Sequence, residues 1–112
     1  MTLEEFKNIL ENNRFVVLKL SATWCGPCKA LEATLGKIEG DYPDINFVHC
    51  DVDESDEIAA EFRVRSVPTM IYFVDGVAID KTVGSVSEET IREKLDSMVN
   101  ENWKTDGEGR TE

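Results

Sequence analysis

The stretch Val17–Lys29, VLKLSATWCGPCK, decides the fold. It opens as an apolar run broken by one charge, Lys19, and closes on two cysteines separated by Gly26 and Pro27. Taken a step back, Phe15–Ser21 (FVVLKLS) is β-rich and nearly continuous in its apolar residues, which is how a strand covered on both faces reads. After the cysteines, Leu31, Leu35 and Ile38 recur at helical spacing, and Gly40 is expected to stop the helix. A strand that runs straight into a helix puts Cys25 at the helix N-terminus. Free N–H groups and the helix dipole stabilise an anion there, so the thiolate is more populated than in a free cysteine. Cys28, three positions on, comes within disulfide geometry once the first turn forms. Pro27 suits that turn because its missing N–H loses nothing there, and Gly26 lets another backbone come close. The pattern describes a reactive, exposed thiol with a second thiol in reach.

Outward from this stretch the chain alternates between helical and strand patterns. Thr2 opens a capping box with Glu5, and Leu3, Phe6, Ile9 and Leu10 share one helical face. INFVHCDV, residues 45–52, is a second strand, and DESDEIAAEF, residues 53–62, is a short acidic helix with Asp or Ser as its cap. TMIYFV and VAIDKTVG are strands joined by Asp75-Gly76, a strong two-residue hairpin signal. Ser87 caps a last helix that has Glu88 and Glu89 at its positive end and Ile91, Leu95, Met98 and Val99 on its buried face. The order is α-β-α-β-α-β-β-α. Strands separated by helices are expected to be parallel and the hairpin to add an antiparallel edge, with helices on both faces of a mixed sheet. One domain is expected over residues 1–100. The pattern dissolves beyond it, so residues 101–112 read as an acidic, disordered tail from which Trp103 can dock back.

Composition narrows the function classes. The chain has 112 residues and a formal net charge of −11. That charge disfavours nucleic acid and anionic membrane surfaces as partners, since phosphate contacts need a basic face. No run approaches the roughly 18 apolar residues of a membrane span, and the acidic, amphipathic N-terminus does not read as a secretory signal. Three cysteines, an odd count, argue against a secreted disulfide framework and make the cytoplasm the expected compartment.

Several segments together resemble the thioredoxin family. They are SATWCGPCK (Ser21–Lys29), SVPT (Ser66–Thr69), FVDG (Phe73–Gly76) and VGSVS (Val83–Ser87), and the likeness covers about residues 3 to 99. The Gly-Pro pair separates the site from the Pro-Tyr of glutaredoxin-like and the Gly-His of isomerase-like sites. The resemblance implies a three-layer α/β/α sandwich and a protein-disulfide reductase that needs no cofactor beyond its Cys25–Cys28 redox pair. It makes Cys25 the nucleophile and Cys28 the resolving thiol. Trp24, Gly26, Pro27, Val67, Pro68 and Gly84 then form a shallow groove for an extended substrate segment, with Pro68 in a cis peptide bond. Implied partners are proteins with disulfides and a thioredoxin reductase or equivalent electron donor. Two readings stand beside this one: a redox-independent binding module, and a more oxidising thiol oxidant or isomerase on the same scaffold.

The departures from the family pattern carry their own expectations. Only Met1 precedes the capping box, so the family's first strand is expected to be absent or vestigial. That leaves four strands with INFVHC at an edge. A monomer is expected, with a dimer through that edge as the alternative. Ala33 stands where the family commonly has a kinking proline, so a straighter helix is expected. Lys19 matches the family's buried aspartate and His49 the lysine beside it. Both are candidate catalytic residues: Lys19 as a base or as a cation near Cys28, His49 as a proton relay. The bland reading of Lys19 is an ammonium bent back to water. A zinc site from the cysteine pair with His49 and Cys50 is disfavoured, because adjacent strand residues point to opposite faces.

Overall fold

The computed structural model describes residues 1–100. The tail 101–112, and with it any docking of Trp103, lies outside the described residues. Helix α1, Leu3–Asn12, starts on the expected capping box: the Glu5 N–H donates to Thr2 Oγ1 at 3.1 Å and the Thr2 N–H donates to the Glu5 carboxylate at 2.7 Å. Strand β1, Phe15–Ser21, follows, and then helix α2, Gly26–Ile38, which is continuous past Ala33. A 3₁₀ turn, Glu39–Asp41, leads to strand β2, Ile45–Asp51, and helix α3, Asp56–Glu61. Strands β3, Thr69–Val74, and β4, Val77–Val83, form the hairpin, and helix α4, Glu88–Asn100, closes the described chain. Asp75 and Gly76 both have positive φ, 51° and 81°, as the tight hairpin turn requires. The Thr90 N–H donates to Ser87 Oγ at 3.1 Å, so Ser87 caps α4 as its position implies.

The four strands lie in the order β2-β1-β3-β4. β1 is central: it pairs in parallel with β2 and antiparallel with β3. Val17 packs with Leu31, Leu35 and Ile38 of α2 and with Ile91, Leu95 and Met98 of α4. On the other face Val16, Leu18 and Leu20 pack with Phe6 of α1 and Ile58 of α3. These two cores make the expected three-layer sandwich with β2 at an edge.

Three local expectations are corrected. A helix separates β2 from β3, yet β3 runs antiparallel to β1 and therefore to β2. The reason is length. α3 has six residues, a rise of about 9 Å, whereas a seven-residue strand spans about 23 Å. The chain therefore does not regain the far end of the sheet before β3 begins. Gly40 does not end α2 in a left-handed cap; the helix tightens into the 3₁₀ turn that contains Gly40, and the Glu39 N–H still bonds the Leu35 carbonyl. Ser55 occupies the N-cap of α3 without a side-chain cap bond. Its hydroxyl instead accepts from the Met1 ammonium at 3.5 Å.

Phe6 is fully buried and meets Phe62 and Phe73 edge-on at 5.7 and 5.5 Å between ring centroids. Phe6→Ala is expected to destabilise the fold by about 3–5 kcal/mol. A urea titration checks it: the midpoint falls while the slope with denaturant is kept.

Candidate active site

Where β1 ends, the chain makes a short turn, closed by the Cys25 N–H on the Ala22 carbonyl at 3.2 Å, and α2 begins. Cys25 is the N-cap residue of α2. Its sulfur accepts the Cys28 amide N–H at 3.2 Å, so an otherwise orphaned helix donor points at the sulfur. The two cysteines are joined as a disulfide with their Cα atoms 5.3 Å apart. The expectation of an exposed thiol is corrected: Cys25 is 5 % exposed, no more than Cys50, and Cys28 is 2 % exposed. The covering comes from elsewhere in the chain, because Val52 and Val67 pack against the cluster of Ala22, Cys25 and Cys28. What distinguishes Cys25 is its place at a helix N-terminus.

The residues expected to form a groove surround this disulfide. Trp24 is 70 % exposed, and its indole N–H donates to the Asp53 carboxylate at 3.3 Å. The Val67–Pro68 bond is cis, and the Val67 carbonyl oxygen lies 3.7 Å from Cys25 Sγ. Val67 stands outside the β3 ladder, which begins at Thr69. Gly84 ties the far side: its N–H donates to the Pro68 carbonyl at 2.8 Å from a backbone with φ of 89°, a conformation that favours glycine. Gly26, in the first turn of α2, has open space where a side chain would be, and Pro27 sits beside it.

Lys19 and His49 are brought together, but not at the sulfurs. They are register partners on β1 and β2. Lys19 is 2 % exposed, and its ammonium donates to Glu32 Oε1 at 3.0 Å. Glu32 lies one helical turn beyond Cys28 on α2. The lysine neither reaches open water alone nor bonds a cysteine; it is held by a carboxylate that sequence reasoning did not single out. The hydrogen bond and charge of Lys19 hold the Glu32 carboxyl below its usual range. His49 Nε2 stands 3.4 Å from Glu39 Oε2. Burial and then the Lys19 charge push the imidazole pKa down, against the opposing pull of Glu39 and Glu32. A cleft of about 480 Å³ runs past Lys19, Glu32, Glu39 and His49 and opens the group to solvent. Cys50 packs on the opposite face of the sheet with Phe6 and Ile58, and burial pushes its thiol up. Sequence reasoning also missed Asp53 and Arg65. The signal for Arg65 was its position two residues before Val67 in the sequence.

A family model described as Thioredoxin matches residues 1–97. The chain is 46 % identical over 83 residues to mitochondrial thioredoxin-3 of Saccharomyces cerevisiae, a match covering 74 % of this chain and 65 % of that protein. The crystal structure of that yeast protein in its oxidised form superposes with a TM-score of 0.81 at 40 % identity, over 86 % of this chain and 90 % of the other. A thioredoxin of Mycoplasmoides gallisepticum is 40 % identical over 91 residues, covering 81 % of this chain and 91 % of that protein. A third likeness has a TM-score of 0.80 at 39 % identity and covers 85 % of this chain and 89 % of its counterpart. That structure concerns thiol resolving in a yeast mitochondrial 1-Cys peroxiredoxin through glutathione and thioredoxin systems.

In the reduced protein Cys25 is expected to alkylate well ahead of Cys50 at pH 7, although both are equally covered; mass mapping after a short iodoacetamide pulse checks this. His49 is the chain's single histidine, so its titration is readable by NMR without assignment. Its midpoint is expected below the ordinary value of about 6.5 and should rise in Lys19→Met. The sign for stability follows from the depressed folded pKa. The contribution of neutral His49 is complete above about pH 6.5 and is lost as pH falls through the folded pKa. His49→Asn is expected to flatten that acid limb in urea titrations.

Proposed function

The chain belongs to the thioredoxin family of thiol–disulfide oxidoreductases, and on that premise we propose that it reduces disulfides in other proteins, with Cys25 attacking and Cys28 resolving. The observation that carries this reading is the placement of Cys25 Sγ as the N-cap acceptor of α2, with Cys28 bonded to it in the oxidised state. An anion at that sulfur is met by the Cys28 N–H and by the positive end of a 13-residue helix.

The Cys25 thiolate attacks one sulfur of a substrate disulfide; the S–S bond breaks and the departing thiolate takes a proton. Cys28 loses its proton and attacks Cys25 Sγ in the mixed disulfide, which releases the second substrate thiolate. Two electrons have passed to the substrate, and the Cys25–Cys28 bond holds the oxidised state until a dithiol donor of the reductase class restores it. The substrate segment lies between Trp24, Gly26 and Pro27 on one side and Val67, Pro68 and Gly84 on the other, with the backbone of Val67 pairing to it as an added strand. Disulfides of peroxiredoxins are one substrate group consistent with the thioredoxin systems described for the yeast protein.

Lys19 and His49 serve the second step. The Lys19 ammonium, bonded to Glu32, favours the Cys28 thiolate, while Glu32 offsets much of its charge and keeps the pair a reductant. His49, at the cleft, passes the proton to water. The yeast relative is mitochondrial, so the compartment widens from the cytoplasm to any reducing space that holds such a donor.

The test is insulin reduction driven by dithiothreitol. The protein is expected to accelerate it, Cys25→Ser to abolish the acceleration, and Cys28→Ser to accumulate a mixed disulfide. A double Cys25→Ser, Cys28→Ser protein that keeps full biological function would establish the binding module instead. Lys19→Leu is expected to slow resolution more than the first attack in stopped-flow traces. Glu32→Gln is expected to shift the glutathione equilibrium toward the dithiol. Unchanged rates and equilibrium across pH 6 to 9 would remove both residues from the mechanism.

A further inference from the structure

Beside the disulfide, Trp24, Val52, Val64, Arg65, Ser66 and Val67 line a shallow cavity of about 170 Å³. Val52 and Val67 are also the residues that cover Cys25 and Cys28, so the cavity continues the surface a substrate must touch to reach the sulfur. Five of the six lining residues are uncharged; the sixth is Arg65. It is exposed, and among the described residues no carboxylate is bonded to it. Arg65 is not alone in this among the described residues, but some of the chain's cations are tied to carboxylates. Lys19 is held by Glu32, Arg92 by Asp41 and Glu88, and Lys94 by Asp80. A chain with a net charge of −11 therefore keeps an uncommitted guanidinium at the mouth of its reactive site. Arg63, also exposed and two residues earlier, adds the same sign. The Asp53 carboxylate accepts the Trp24 indole N–H on this side of the disulfide.

Resting on the proposed disulfide reduction, we infer that Arg65 selects substrates that carry an acidic side chain two residues from the attacked cysteine. The position follows from strand geometry. A residue before a proline is biased toward an extended conformation, and an extended substrate segment laid past residues 65–67 alternates its side chains between faces. When the substrate cysteine lies opposite Val67, close to Cys25 Sγ, the residue that comes opposite Arg65 is two positions away. A guanidinium offers a planar fork of donors to a carboxylate there. Such a rim charge acts mainly on encounter and partner choice.

The test uses reduced full-length protein and heptapeptides whose central cysteine is joined by a disulfide to thionitrobenzoate. Glu, Gln or Lys is placed on both sides at the positions two residues from the cysteine. Attack by Cys25 on the peptide sulfur releases the coloured thiolate, and its rate is followed at low and high salt. The overall charge of the chain disfavours the acidic peptide, so the decisive quantity is the ratio of Glu-peptide to Lys-peptide rates and its change on substitution. At low salt Arg65→Gln is expected to lower that ratio about threefold to fivefold, and Arg65→Glu to lower it further, with both effects fading as salt rises. A ratio unchanged in both variants, with all peptides still reduced, overturns the role of Arg65 alone. Release no faster than with Cys25→Ser for every peptide overturns the disulfide-reductase reading beneath it.

Discussion

Strand β1 has no free edge and no free face, and the reactive end of the molecule depends on that confinement. Residues 16–20 are 2 % exposed or less, with β2 on one side, β3 on the other and two helices packed on each face of the sheet. A strand held in this way delivers its C-terminus to one place. The short turn after Ser21 then sets the first residue of α2, and with it the Cys28 N–H that points at Cys25 Sγ. The loop with the cis Val67–Pro68 bond enters from the neighbouring strand β3, so both walls of the groove hang from adjacent strands of one sheet. Site geometry here is a property of the sheet's centre rather than of flexible loops.

The same confinement explains the form taken by Lys19. An ammonium in the middle of a fully covered strand loses its hydration, and the loss is tolerable only with a partner of good geometry. β1 and α2 are consecutive and packed together, so the partner comes from α2. Glu32 reaches the ammonium while its own side chain remains 57 % exposed. Its carboxylate therefore keeps most of its water, and the burial cost falls on one ion rather than two.

Much of this was legible in the residues. The capping box at Thr2, the continuous apolar run of β1, the Asp75-Gly76 turn and the cysteine pair each have a local physical cause, and local causes can be read from a sequence. The edge position of β2 agrees with the expectation of a four-stranded sheet. What was not legible depended on distance across the fold. A glutamate at position 32 looks like any solvated helix residue until β1 brings a buried ammonium to it. The covering of Cys25 is supplied by Val52 and Val67, which are remote in the chain. The direction of β3 was within reach, because a six-residue helix cannot span a seven-residue strand; the pattern-based reading weighed the kind of element and not its length. The hydroxyl of Ser55 makes no bond to its helix and accepts from the remote Met1 ammonium instead.

The strand order has a consequence in time as well as in space. β1, α2 and β2 are contiguous in the chain, so this unit can assemble as soon as residue 51 is free. One edge of β1 then stays open until β3 has been made, since β3 is its partner on that side. Synthesis from residue 51 to residue 74 takes about 1–5 s at roughly 5–20 residues per second. During that interval the largely apolar central strand presents unpaired backbone groups, the template on which nascent chains associate wrongly. A ribosome stalled between α3 and β3 would hold the protein at its most association-prone stage, with the dithiol segment already made and its cover incomplete.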